Sequence, residues 1–88
     1  MEKFNLNQLL GKKIEAAHEF VNVEKARKEE KTYKGIVTGY NDYILTLDND
    51  TKIDLYDRNT IEFYEGGSTS YNQIYIRNNA LTTIIYFD

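Results

Sequence analysis

The chain has 88 residues with no cysteine, proline or tryptophan, 8 tyrosines, 4 phenylalanines and a formal charge of −3. That length holds one small domain, near the size at which a lone core is only marginally stabilising, and the missing cysteines exclude a disulfide framework and a thiolate metal site. No run is long and apolar enough for a signal peptide or a membrane span, so a cytoplasmic location without membrane contact is expected. The charge is uneven: up to Lys34 there are eight Lys/Arg against six Asp/Glu, and from Gly35 onward three against eight. A wholesale polyanion-binding surface does not fit that balance.

In chain order, Asn5 is placed to cap a short helix through Leu10 with Gly11 as the stop, and Leu6, Leu9 and Leu10 fall on one side of it. From Lys13 the period changes to two, Ile14, Ala16, His18 and Phe20 alternating with Glu15, Ala17, Glu19 and Val21, which predicts a first strand. The charged run Glu24 to Lys31 has no apolar stripe and reads as a solvated loop or an extended hairpin tip. Thr32 to Tyr40 predicts a second strand, with Gly35 and Gly39 marking a bend or a close backbone approach. Asn41-Asp42 predicts a tight turn into a strand over Tyr43 to Leu47, Lys52 to Tyr56 alternates as a further strand, and Ile61 to Tyr64 is apolar-rich again. Turns are expected at Asp48 to Thr51 and Asp57 to Thr60, and a plain loop at Glu65 to Ser70. The closing segment, Ile74 to Tyr86, reads as strand, tight turn, strand around Arg77-Asn78-Asn79-Ala80. A final strand at the end of the chain would leave a sheet edge needing cover.

Residues with catalytic chemistry are sparse. His18 is the only histidine, and its place on an alternating face fits a packed or hydrogen-bonded side chain better than a base. Asp48, Asp50 and Asp54 have the look of a calcium loop, but Lys52 holds a ligand position and Ile53 stands where that loop needs glycine. Gly66-Gly67-Ser68 lacks the Lys-Ser/Thr ending of a phosphate loop. The expectation is a protein without enzymatic activity, cofactor or metal.

Two segments carry a more specific pattern. Lys34 to Leu47 has the glycine, apolar, acid-or-amide, aromatic, apolar order of the first Sm motif. Ile76 to Ile84 resembles the second, in which an arginine-glycine-asparagine corner joins two strands, and Leu9 to Ile14 resembles the lead-in from helix to first strand. The chain is therefore similar to the Sm-like (LSm and Hfq) superfamily over most of residues 1–88, with the regions near 23–32 and 48–73 as insertions in variable hairpins. The resemblance implies a mainly β, strongly bent five-stranded SH3-like barrel behind a short N-terminal helix. It further implies assembly into a homo-oligomeric ring, with Ile74, Ile76, Ile84 and Tyr86 at the subunit interface. Single-stranded RNA would then lie at the pore against Asn41, Tyr43, Arg77, Asn78 and Asn79, an aromatic ring and a guanidinium being suited to base stacking. Lys25, Arg27 and Lys28 form a second basic surface. The alternatives are a structural or protein-interaction ring without RNA and a monomeric SH3-like barrel that binds peptides.

Overall fold

The structure, a computed structural model, describes residues 5–55, 60–66, 71–78 and 80–88. It is mainly β. A single turn of 3₁₀ helix, Leu6–Leu9, precedes seven strands: β1 (Lys13–Asn22), β2 (Arg27–Asn41), β3 (Ile44–Leu47), β4 (Lys52–Asp54), β5 (Thr60–Tyr64), β6 (Asn72–Arg77) and β7 (Thr82–Phe87). All pair antiparallel in the order β4-β3-β2-β1-β7-β6-β5. The expected five-stranded barrel is thus corrected to a seven-stranded sheet that does not close, with β4 and β5 as its outer strands.

The helix is tighter than expected, and this changes its apolar face. In a 3₁₀ turn the residues at i and i+3 eclipse, so Leu6 and Leu9 are buried while Leu10 is turned out to solvent. Asn5 caps the turn by accepting from the Asn7 amide at 2.9 Å. Gly11, in the left-handed region at φ 82°, then lets the chain dock on β2, its amide donating to the Val37 carbonyl at 2.8 Å.

Of the two forms expected for the charged run after Val23, it takes the extended hairpin tip and not the solvated loop, and it belongs to the sheet and is not an insertion. It turns at 23–26 and carries straight on as the first half of β2, paired with β1 from Asn22↔Arg27 to Lys13↔Ile36. Beyond Ile36 the same strand changes partner: a bulge between Val37 and Gly39 re-aims it, and it pairs with β3 up to Asn41↔Ile44. Fifteen residues of β2 therefore serve two sub-sheets, β2-β1-β7-β6-β5 on one side of the bend and β2-β3-β4 on the other.

The core lies between them. Ile14 and Ala16 of β1, Ile74 and Ile76 of β6, and Ile85 and Phe87 of β7 cluster with Val37, Leu45, Leu47 and Ile53 of the smaller sub-sheet and with Leu55 just after β4, with Leu6 and Leu9 alongside. His18 is buried in the same inner row, its Nδ1 2.7 Å from the Thr83 hydroxyl.

The closing segment forms the expected hairpin. Asn78 shapes its corner, its side-chain oxygen accepting from the amides of Ala80 at 2.8 Å and Leu81 at 2.7 Å, while its own amide donates to the Leu81 carbonyl at 3.1 Å. With this turn β6 and β7 pair within the chain from Asn72↔Phe87 to Arg77↔Thr82, and β7 is flanked on its other side by β1. The sheet edge expected at the end of the chain is therefore not there. Region 48–73, expected as an insertion, contains β4, β5 and the start of β6.

Gly35 is the glycine that the bend requires. A Cβ at this position would lie 2.8 Å from Asp48 Oδ1 and 3.2 Å from Leu47 Cβ, and that Asp48 oxygen accepts from the Ile36 amide at 3.0 Å. Gly35→Ala should therefore cost about 1–3 kcal/mol, as for other overpacked sites. Urea denaturation checks this; an unchanged midpoint would show that the two sub-sheets tolerate separation at this point.

Candidate functional site

The outer face of the larger sub-sheet is defined by register. Residues directly opposite on neighbouring strands share a face, so Lys34, Glu15, Tyr86, Gln73 and Tyr64 form one row across β2, β1, β7, β6 and β5. The next row is Thr32, Ala17, Ile84, Tyr75 and Glu62. Three tyrosines thus come onto one surface from three strands.

On β5 and β6 the tyrosines are interlocked. The Tyr64 hydroxyl donates to Glu62 Oε2 on its own strand, and the Tyr75 hydroxyl to Gln73 Oε1 at 3.1 Å on its own. Each ring therefore leans along the strand toward the residue opposite the other tyrosine. The two rings meet edge to face, 5.2 Å between centroids at 79°. Arg77 Nη2 donates to the remaining Glu62 oxygen, Oε1. The Tyr64 hydroxyl first, and Arg77 second, hold the Glu62 carboxyl below the ordinary glutamate value of 4.5, and the same bond to Glu62 raises the Tyr64 hydroxyl above its ordinary value of 10.0.

Two hollows open on this face. One, of about 450 Å³, is lined by Glu62, Tyr64, Glu65, Tyr71, Tyr75 and Arg77, together with Gly66 and Gln73. The other, of about 510 Å³, lies toward β1 and is lined among others by Lys13, Lys34, Tyr86 and Phe87; Tyr71 borders both.

The residues expected at an RNA pore are not brought together. Asn41 ends β2 and Tyr43 lies in the following turn, where Asp42 at φ 51° and Tyr43 at φ 63° make the two left-handed positions of a tight hairpin. Tyr43 is 47 % exposed. Arg77 and Asn78 are at the other end of the molecule: Arg77 pairs with Thr82, whose amide donates to Glu19, and Glu19 pairs with Glu30. From Glu30 to Asn41 β2 still has eleven residues to run, about 36 Å of strand. Arg77 is bound to Glu62 and Asn78 is used in its own turn, while Asn79 lies outside the described residues.

Each cation of the basic surface has a carboxylate beside it. Lys25 and Arg27 face Glu29 at 3.7 Å and 3.2 Å, and Lys28 faces Glu19 at 3.5 Å. Of the expected interface residues, Ile74 and Ile76 are in the core, whereas Ile84 and Tyr86 lie half-buried on the outer face. Among the described residues no cluster of His, Cys, Asp or Glu is arranged to hold a metal, and no helix is long and apolar enough to cross a membrane. Comparison with protein-family models, with curated proteins and with solved structures finds no match to the chain.

Glu62-Phe63-Tyr64 and Gln73-Ile74-Tyr75-Ile76-Arg77 do carry a signal for this surface. Each alternates an apolar residue with a polar or aromatic one, which assigns faces within each strand. What local pattern lacks is the pairing that sets Tyr64 beside Gln73 and Tyr75 beside Glu62.

The shared carboxylate has a measurable signature. A depressed carboxylate supports the folded state above its ordinary value and loses that contribution as pH falls through its lowered folded value. The Glu62 side chain should therefore titrate below 4.5 by NMR, with the midpoint moving up in both Tyr64→Phe and Arg77→Met. A midpoint unmoved by Tyr64→Phe would disprove the sharing.

Proposed function

We propose that this chain is a non-enzymatic recognition module that takes an extended segment of a partner protein along β5 as an eighth strand. The observation that carries the reading is the character of the sheet's two edges. Among the described strands β5 is the last of its sub-sheet; its five residues include neither proline nor lysine, and its exposed Phe63 and Tyr64 stand on opposite faces. The opposite edge, β4, has three residues, with Lys52 and Asp54 flanking buried Ile53, and so has the short, charged form that resists added strands. A segment on β5 would gain main-chain hydrogen bonds for affinity and alternate side-chain contacts for specificity.

The charge pattern of the outer face supports a protein segment over single-stranded RNA. Lys34 faces Glu15 at 4.0 Å, Lys28 faces Glu19, and Arg77 is bound to Glu62, so these cations would have to leave a carboxylate to meet a phosphate. The outer-face tyrosines suit a protein interface, where tyrosine supplies large contact area with a polar tip.

The test is selection of binders from a random peptide library on the intact protein, followed by amide exchange of the complex. The expected result is new protection at Thr60 to Tyr64, with affinity lost at least about tenfold in Phe63→Lys, a lysine being a natural guard of an edge. Selected peptides that leave β5 amides unprotected would overturn the reading. So would salt-sensitive binding of U-rich or A-rich RNA that the peptides displace, or protection of the same amides by raising the concentration of the protein alone, which would make a second copy the occupant.

A further inference from the structure

We infer that the 450 Å³ hollow beside β5 is a subsite for a cationic side chain, lysine or arginine, carried by the added strand. This rests on the reading of β5 as the receiving edge. Side chains alternate along a strand, so every second residue of a segment paired with β5 projects onto the outer face, beside Glu62 or Tyr64. Both of those residues line the hollow. Whatever the segment presents there enters a space bounded by β5, β6, Glu65 and Tyr71.

Three ligand chemistries can be weighed against that lining. The charged groups are Glu62, Glu65 and Arg77. Arg77 and Glu62 neutralise each other, and among the described residues Glu65 has no ion pair, which leaves one net negative charge. An anion would lie against Glu65 and could be met only by drawing Arg77 from Glu62. An apolar side chain would take water from Glu65 without giving it a partner. A cation meets the Glu65 carboxylate and also finds aromatic surface: Tyr64 is 51 % and Tyr71 58 % exposed, and a cation near a tyrosine face within about 6 Å is attracted by the ring quadrupole. Tyr75, set at 79° to Tyr64, forms the inner wall.

The experiment uses a peptide already shown by amide exchange to protect β5. A single lysine is moved along it one residue at a time, and at the best position it is replaced by norleucine or glutamate. The cationic subsite predicts an affinity that alternates with a period of two along the peptide, and about a tenfold loss from lysine to norleucine on the native protein. On Glu65→Gln the lysine advantage should fall to about twofold or less, and on Glu65→Lys the glutamate peptide should become the tighter binder. Glu65 is exposed and outside the strands, so circular dichroism of both variants should match that of the native protein. Equal affinities for the lysine, norleucine and glutamate peptides, with β5 still protected, would overturn the cationic subsite and leave the edge reading intact. Failure of any peptide to protect β5 would overturn both.

Discussion

Strand β2 is a single covalent path through two hydrogen-bonded systems, and the rest of the molecule depends on its changing partner without breaking. Its first ten residues are held by β1 and its last five by β3, and the bulge after Val37 lets one strand run between two differently directed sub-sheets. The bend brings Gly35 against Leu47 and Asp48. The Asp48 carboxylate then fastens the Ile36 amide, and the Asn49 side chain donates to the Lys34 carbonyl at 3.2 Å, so this stretch of β2 is stitched to the turn that follows β3. With β2 folded this way, the inner rows of both sub-sheets meet and a chain of 88 residues obtains a continuous core. A straight β2 would leave Val37, Leu45 and Leu47 without Ile14 and Ala16 to pack on.

That path also decides where the sheet stops. Because β1 is covered by β2 on one side, the C-terminal hairpin has only its other side to join, and β7 does so from Ile14↔Phe87 to His18↔Thr83. The Asn78 corner folds β6 back on β7, so among the described residues β5 is the last strand of its sub-sheet. The edge is thus a consequence of chain order. Its outer surface is enriched in tyrosine because an outer face must be compatible with water, and tyrosine combines strand-forming bulk with a hydroxyl that can meet Glu62 or Gln73.

The fold is legible in the sequence wherever alternation is strong. Ile14, Ala16 and His18 point inward, Gly35 marks a close approach, and Asn41 to Ile44 turns tightly, all as the local pattern predicts. Local pattern fails where backbone pairing decides. Arg27 to Lys31 has no apolar stripe, yet it is a strand because β1 offers a matching ladder and because Lys28 and Glu19 pair across it. The same limit accounts for the strand count: β4 and β5 are short, and nothing local says that they sit at opposite ends of one sheet. Tyr64, Tyr75 and Tyr86 could each be assigned a face, but their meeting depends on contacts between β1, β7, β6 and β5 far apart in sequence. Motif order joins Asn41 and Tyr43 to Arg77 and Asn78 but carries no distance, and the register sets the two pairs at opposite ends of β2.

An exposed edge strand is a hazard as well as a binding surface, and the charge of β5 bears on which of the two it becomes. If two copies paired antiparallel through β5 in the register of full overlap, Thr60 would face Tyr64, Ile61 would face Phe63, and Glu62 would face the Glu62 of the other copy. Like charges directly opposite on paired strands are destabilising, and although the Arg77 on each Glu62 reduces that repulsion, the central residue gives this self-pairing no favourable partner. The net charge of −3 acts in the same direction at longer range. A segment with a cation on its outer face carries neither penalty, and it meets Glu65 as well. Glu62 itself stays ionised at neutral pH, since Tyr64 and Arg77 both favour its charged form, so two carboxylates, each with its own Arg77, remain opposed between copies. The same carboxylate that orders the tyrosine surface within one copy therefore discriminates, at the edge, between a second copy and a basic partner.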